Sequence, residues 1–267
     1  MQRPLVMGII NFTPDSFYSQ SRAVTDIQIS EKIENMIAEG VDIIDVGAYS
    51  SRPGAEDISA DEEIVRLQQG LKILKKTAPD IPVSIDTFRA NVVEKIFDRF
   101  GHFIVNDISA GELDDKMFNV AAKLNLPYIA MHMKGNPRTM QINPVYDDLI
   151  GEITEYFVEK INRLRNAGVK DIIIDPGFGF AKTVEQNYNL LADLKNFKKF
   201  GLPLLVGLSR KSMLYKLLNT TPENALNATT AANAVALMNG ADILRVHDVR
   251  AAVETVEIIE KLKNKNN

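Results

Sequence analysis

Asn11, Asp45, Asp86, Asn106 or Asp107, His132, Asp175 and the pair Arg245/His247 each stand at the C-terminal end of a short apolar run. The segment Leu208-Ser209-Arg210-Lys211-Ser212 closes one more run in the same way. One Asp or Asn in such a place is an ordinary helix cap; eight runs ending alike describe the polar wall of a single site. Arg245 and His247 are two apart in an extended run and so share a face. A cation and an imidazole on one face suit a phosphate or diphosphate. An amide oxygen such as that of Asn11 beside a diphosphate suits Mg²⁺, which takes few protein oxygens and completes its shell with phosphate and water. With three histidines in the chain and none clustered at zinc-ligand spacing, a zinc site is not expected. The chain has no cysteine, which removes thiol nucleophiles, thiolate metal sites and disulfides.

Weaker signals sort quickly. Asp175-Pro176-Gly177-Phe178-Gly179-Phe180 holds a Gly-x-Gly but lacks the third glycine and the helix opening of a dinucleotide fingerprint. Its Pro-Gly punctuation predicts a tight turn holding Phe178 and Phe180 near the mouth. His102 precedes a run, at the wrong end for chemistry, and reads as structural. His132 is at the right end, yet a lone histidine reads first as hydrogen-bonded architecture.

These residues need elements that converge. The apolar runs lie at 5–10, 41–47, 81–86, 102–107, 126–132, 169–175, 202–208 and 241–246. Their near-continuous apolar character predicts strands buried on both faces, as in parallel sheets. Helix-like stretches alternate with them at roughly 26–39, 60–77, 89–99, 114–124, 146–167, 183–195, 222–239 and 249–264. Gly40, Gly168 and Gly240 sit where helix stops belong. Eight strands and eight helices in strict alternation predict one α/β domain over residues 1–267, a (β/α)8 TIM barrel with its site at the C-terminal ends of the strands. The loops expected to carry function are 11–25, 47–59, 132–145 and 208–221.

The formal net charge of −4 argues against nucleic-acid or anionic-membrane binding. The first apolar run is too short to span a bilayer, and a cytoplasmic location is expected.

The sequence resembles dihydropteroate synthase, the folate-pathway enzyme targeted by sulfonamides. The motifs that carry the likeness follow one another in order: MGIINFTPDSF at 7–17, DVGAYSSRPGAE at 45–56, SIDTF at 84–88, NDISAG at 106–111, MHMKGNP at 131–137, DPGFGF at 175–180, GLSRKS at 207–212 and LRVHDV at 244–249. The resemblance implies a pterin-binding transferase that joins 6-hydroxymethyl-7,8-dihydropterin diphosphate to 4-aminobenzoate, releasing pyrophosphate by a dissociative displacement. It assigns Asp86, Asn106, Asp175, Lys211 and Met131 to the pterin, and Asn11, Arg245 and His247 to the diphosphate, with Mg²⁺ on Asn11. Lys211, Arg245, His247 and Asp86 are the implied catalytic set. Thr13, Pro14, Asp15 and Phe17 in the first loop and Ser51, Arg52 and Pro53 in the second, with Phe180 and Ser212, would enclose the aminobenzoate. The family implies a homodimer.

Two stretches depart from the family pattern. Tyr18 to Arg22 replaces a glycine-containing stretch, and Tyr49-Ser50-Ser51 replaces Glu-Ser-Thr. A corrinoid-linked pterin methyltransferase and a non-catalytic pterin-binding paralogue are the rival readings. The first has no need of Ser-Arg-Pro-Gly, Ser-Arg-Lys-Ser or the Arg-x-His pair, and the intact polar set speaks against the second.

Overall fold

A computed structural model of the chain describes residues 3–12, 22–49, 57–135 and 144–263. Its strands are β1 (Leu5–Asn11), β2 (Ile43–Gly47), β3 (Val83–Asp86), β4 (Ile104–Asp107), β5 (Tyr128–Met131), β6 (Ile172–Asp175), β7 (Leu205–Val206) and β8 (Ile243–Val246). The helices are α1 (Arg22–Ala38), α2 (Ala60–Thr77), α3 (Ala90–Phe100), α4 (Met117–Lys123), α5 (Leu149–Ala167), α6 (Val184–Ala192), α7 (Ser212–Leu217), α8 (Leu226–Met238) and α9 (Val249–Lys263). The strand order is β6-β5-β4-β3-β2-β1-β8-β7, all pairings are parallel, and a bridge between Ile174 and Leu204 brings the two ends together. The barrel expected from the alternation is therefore present.

The expected loop at 208–221 is partly helical, because α7 occupies Ser212–Leu217 within it. Asn219 then turns left-handed at φ 49° and Pro222 opens a short 3₁₀ turn, so α8 begins only at Leu226 rather than near 222. The expected helix stops hold: Gly40, Gly168 and Gly240 take φ of 89°, 100° and 98°, where a side chain would strain the backbone.

Strand parity divides the interior into two zones. Residues facing the helices, such as Ile10, Ile44, Ile85, Val105 and Ile174, join Leu67, Leu71, Ile96, Phe157 and Leu164 in the main core. Burying each such side chain contributes roughly 1.5–3 kcal/mol. Met7, Ile43, Ile129, Leu205 and Ile243 form a separate plug inside the barrel. Two or four residues further along the same faces stand Asn11, Asp45, Gly47, Met131 and Arg245. Each inward series thus starts apolar at the bottom, and most end polar at the mouth.

Candidate active site

One register row crosses four strands at the mouth: Asn11 is opposite Gly47, Gly47 opposite Asp86, and Asp86 opposite Asn106. Parallel pairing aligns these residues on one face without help from any loop. Gly47 matters by its lack of a side chain. A Cβ there would meet Asp86 Cβ at 3.3 Å and Asn11 Oδ1 at 3.7 Å, filling the space between the two.

Asp45, one inward position below Gly47, is fully buried and organises the row. It accepts from Arg245 Nε at 2.7 Å through Oδ2 and from Asn106 Nδ2 at 3.2 Å through Oδ1. Arg245 Nη2 also donates to Asp86 at 2.9 Å. One guanidinium therefore serves two carboxylates. Burial, with Asp45 adding to it against the opposing charge of Arg245, pushes the Asp86 pKa up to about 7. Burial works against the Arg245 charge, yet Asp45 and Asp86 more than offset it and keep the guanidinium protonated.

The ambiguity between Asn106 and Asp107 resolves by parity. Asn106 faces the mouth, whereas Asp107 turns outward and is structural. Its carboxylate accepts from the Ser109 and Gly111 amides at 2.8 Å each, from Ser109 Oγ at 2.7 Å and from Tyr128 Oη at 2.5 Å.

Across the mouth, Asp175 ends β6 opposite Met131 and accepts from Gly177 N at 2.8 Å. Burial raises its pKa and the nearby charge of Lys211 opposes the rise. Lys211 donates to the Phe178 carbonyl, and its amine stands 4.6 Å from the centre of the Phe180 ring. Desolvation lowers the Lys211 pKa to about 8 despite Asp175. Met131, Met133, Ile108 and Ala181 form a small apolar floor with Phe88 and Phe180 against it. Phe180 is at the mouth as expected. Phe178 is not: it is fully buried in the main core, and only its carbonyl reaches the site.

His247 lies just past β8 at the exposed rim, with Nδ1 3.0 Å from Ser209 Oγ. Packing around the ring, then the charge of Arg245, holds its pKa below the ordinary histidine value. Ser212 is the first residue of α7, next to Lys211. Arg210, within the same Ser-Arg-Lys-Ser segment, points away from the mouth. It takes φ 56° and clasps Asp248 through Nε and Nη2 at 2.9 and 2.8 Å. Thr13, Pro14, Asp15, Phe17, Ser51, Arg52 and Pro53 lie outside the described residues.

Asp45, Ser209 and Arg210 make contacts that sequence reasoning misses, although Asp45 stands among the strand ends and the other two lie in the Ser-Arg-Lys-Ser motif. His132 is architecture, as its isolation suggested, and is 4% exposed with its ring edge-on to Tyr156 at 4.8 Å. His102, near the opposite end of the barrel, has Nε2 3.1 Å from the Asn125 carbonyl. Among the described residues, no group of three or more His, Cys, Asp or Glu side chains could hold a metal by itself. No described helix is long and apolar enough to cross a membrane.

The profile of the family described as "Pterin binding enzyme" matches residues 7–247. The dihydropteroate synthase of Escherichia coli K12 is 41% identical over 262 residues, covering 97% of this chain and 92% of that protein. The solved Yersinia pestis dihydropteroate synthase in a sulfonamide drug complex superimposes with a TM-score of 0.90 at 39% identity, over 98% of this chain and 95% of that one. A Xanthomonas albilineans dihydropteroate synthase solved with 4-aminobenzoic acid gives 0.88 at 34% identity, over 98% and 93%.

Proposed function

This chain belongs to the pterin-binding enzyme family, and we infer from the two walls of its mouth how it performs the family's transfer. It is a dihydropteroate synthase by its relatives, a transferase that condenses 6-hydroxymethyl-7,8-dihydropterin diphosphate with 4-aminobenzoate to give 7,8-dihydropteroate and pyrophosphate. The observation that carries the mechanistic reading is the single row Asn11, Gly47, Asp86, Asn106 with Arg245 drawn across it.

In this reading the donor edge of the pterin meets Asp175, the ring lies over Met131, and Asn106 and Asp86 take further ring atoms. A site whose buried polar groups need those partners rejects analogues that lack them. Lys211 reaches both the pterin and the aminobenzoate. Arg245 and His247 hold the diphosphate, and their charge and donors favour the state in which the C–O bond is breaking. Pyrophosphate leaves with the bonding pair. The methylene carbon, stabilised by the electron-rich pterin and by the nearby Asp86 carboxylate, is captured by the aminobenzoate nitrogen, which then loses a proton. Phe180 and Ser212 line the aminobenzoate pocket, with Thr13, Pro14, Asp15, Phe17, Ser51, Arg52 and Pro53 completing it.

The donor set fits a magnesium ion that arrives with the diphosphate. Asn11 offers one neutral oxygen beside the open space at Gly47, too little to retain a metal alone but suited to Mg²⁺ carrying phosphate and water. Bound there, Mg²⁺ would neutralise charge on the leaving group.

The assembly is read as a cytoplasmic homodimer. An exposed apolar groove of about 410 Å³ lined by Tyr188, Leu191, Leu214, Leu217, Leu218 and Val235 supports a second copy on this face. Light scattering should give twice the chain mass, and Val235→Asp should reduce it to the monomer.

The decisive assay supplies both substrates with Mg²⁺ and follows dihydropteroate and pyrophosphate. Equal amounts of the two products are expected, with sustained pyrophosphate release only when 4-aminobenzoate is present to capture the methylene carbon. Pyrophosphate released at full rate in the absence of 4-aminobenzoate would overturn the coupled transfer.

A further inference from the structure

The loop after β6 coils through three left-handed residues, Gly177 at φ 72°, Gly179 at 76° and Ala181 at 48°. A coil of this kind turns several carbonyls inward, where they need donors. Lys182, which ends the coil, is 3% exposed and folds back beneath it. Its Nζ lies 3.0 Å from the Gly177 carbonyl, 3.1 Å from the Phe180 carbonyl and 3.0 Å from His132 Nδ1. Two carbonyls accept from this amine and the imidazole is its third partner; burial lowers the Lys182 pKa to about 7, with the nearby Asp175 carboxylate opposing the fall. A lysine is almost never buried unless its charge is so satisfied.

The surroundings make the arrangement rigid. Asn187 is 2% exposed; its Oδ1 accepts from Gly179 N at 2.7 Å, and its Nδ2 donates to the carbonyls of Lys182 at 3.2 Å and Thr183 at 2.6 Å. A Cβ on Gly177 would come within 2.0 Å of the His132 carbonyl, so the loops after β5 and β6 are in direct contact. The opposite side of the same coil supplies the Phe178 carbonyl that receives Lys211 and the Phe180 ring beside its amine.

We propose that Lys182, seated on His132, is a positioning residue that sets the β6 loop so that Phe180 and Lys211 form the aminobenzoate wall. The proposal rests on the pocket assignment above. Lys182 touches neither substrate. It acts through Gly177 and Phe180, whereas the backbone of Asp175 is already fixed by the sheet through its pairing with Met131. Loss of Lys182 therefore separates the two substrates: the pterin keeps its strand-borne partners, and the aminobenzoate loses its wall.

The test is steady-state kinetics of the full chain carrying Lys182→Met, which keeps the stem and removes the three donors. The KM for 4-aminobenzoate should rise at least tenfold, while that for the pterin diphosphate stays within threefold. A lowered melting temperature with both KM values unchanged would make Lys182 merely structural, and an equal rise in both would point to general collapse of the mouth; either result overturns the proposal. Should Lys182→Met fail to fold, His132 decides. His132→Asn keeps an acceptor at the δ position and should stay within threefold of the unmodified chain, whereas His132→Leu should show the aminobenzoate defect. Indistinguishable Asn and Leu variants would overturn it. Phe180→Ala in the same assay keeps two failures apart: unchanged KM there sinks the pocket assignment, and unchanged KM in Lys182→Met alone sinks the role of the lysine.

Discussion

The two walls of the mouth are built by opposite means. On the side of β1, β2, β3 and β8, strand side chains carry the charge: Arg245 is held between Asp45 and Asp86, and Asn106 leans on Asp45. On the side of β5, β6 and β7, backbone carbonyls from a left-handed coil receive two lysines, Lys182 and Lys211. The first wall is rigid because the sheet is rigid, and its weak point is charge balance. The second is rigid because the Gly177, Phe178, Phe180 and Ala181 carbonyls of the coil each have a side-chain donor, and its weak point is backbone shape. One chemistry thus tolerates different errors on its two sides.

The largest effect expected is on the ionic wall. Arg245→Ala strands the fully buried Asp45, and breaking a buried pair from one side costs about 3–5 kcal/mol. It also removes a charge from the leaving group, so kcat/KM should fall on the order of 10³-fold, about 4 kcal/mol of barrier. The barrel should still fold, by circular dichroism, with a lower melting temperature. An unchanged rate would take Arg245 out of the diphosphate site.

A glycine pair probes the contrast next. Gly177→Ala forces a side chain into φ 72° and against the His132 carbonyl at 2.0 Å, so roughly 2–4 kcal/mol of stability should be lost. Gly47→Ala meets its nearest neighbour, Asp86 Cβ, at 3.3 Å and should cost less than about 1.5 kcal/mol while raising the KM for the pterin diphosphate several-fold. Denaturant melts and kinetics of both variants check this. Equal destabilisation would erase the distinction between a wall held by shape and one held by charge.

The pH profile separates the walls more gently. Asp86 has its pKa raised to about 7, so the folded chain retains a proton that the unfolded chain releases above about pH 4. Folding stability from this group therefore falls as pH rises between those values. Activity needing the carboxylate rises over the same window. Lys211, lowered to about 8, supplies the falling limb above that pH. The kcat/KM profile should be a bell with its maximum between the two, and Asp86→Asn should flatten the acid limb while reducing the rate about 10–100-fold. An acid limb that survives in Asp86→Asn would assign it to another group.

Strand parity made much of the ionic wall readable. Asn11, Asp86 and Asn106 end apolar runs on the inward face, so type and position agree. Parity also tells Asn106 from Asp107 once the strand limits are known. The bracing contacts were not readable, because they join segments far apart in the chain: Arg245 meets Asp45 across 200 positions, and Lys182 meets His132 across 50. Lys182 follows its motif and looks, locally, like the first polar residue of a helix. The six-residue α7 escaped for a related reason, since its N-cap position holds a lysine that makes no side-chain cap and one turn and a half shows little periodicity.

The smallest effect concerns the hinge between the walls, where β7 meets β8. Ser209 Oγ lies 3.2 Å from the backbone N–H of His247, which can only donate, and 3.0 Å from His247 Nδ1. An oxygen that accepts from the amide still has its own proton to give to Nδ1, the arrangement that leaves the ring hydrogen on Nε2, where it can donate toward a diphosphate. Ser209→Ala removes this choice of tautomer without touching a substrate. The expected loss in kcat is about 3–10-fold, near 1 kcal/mol, the ordinary worth of one hydrogen bond. His247→Ala should cost more than Ser209→Ala, and the double variant no more than His247→Ala alone, because the serine acts only through the ring. A double variant that lost the full product of both effects would show that Ser209 works independently of His247.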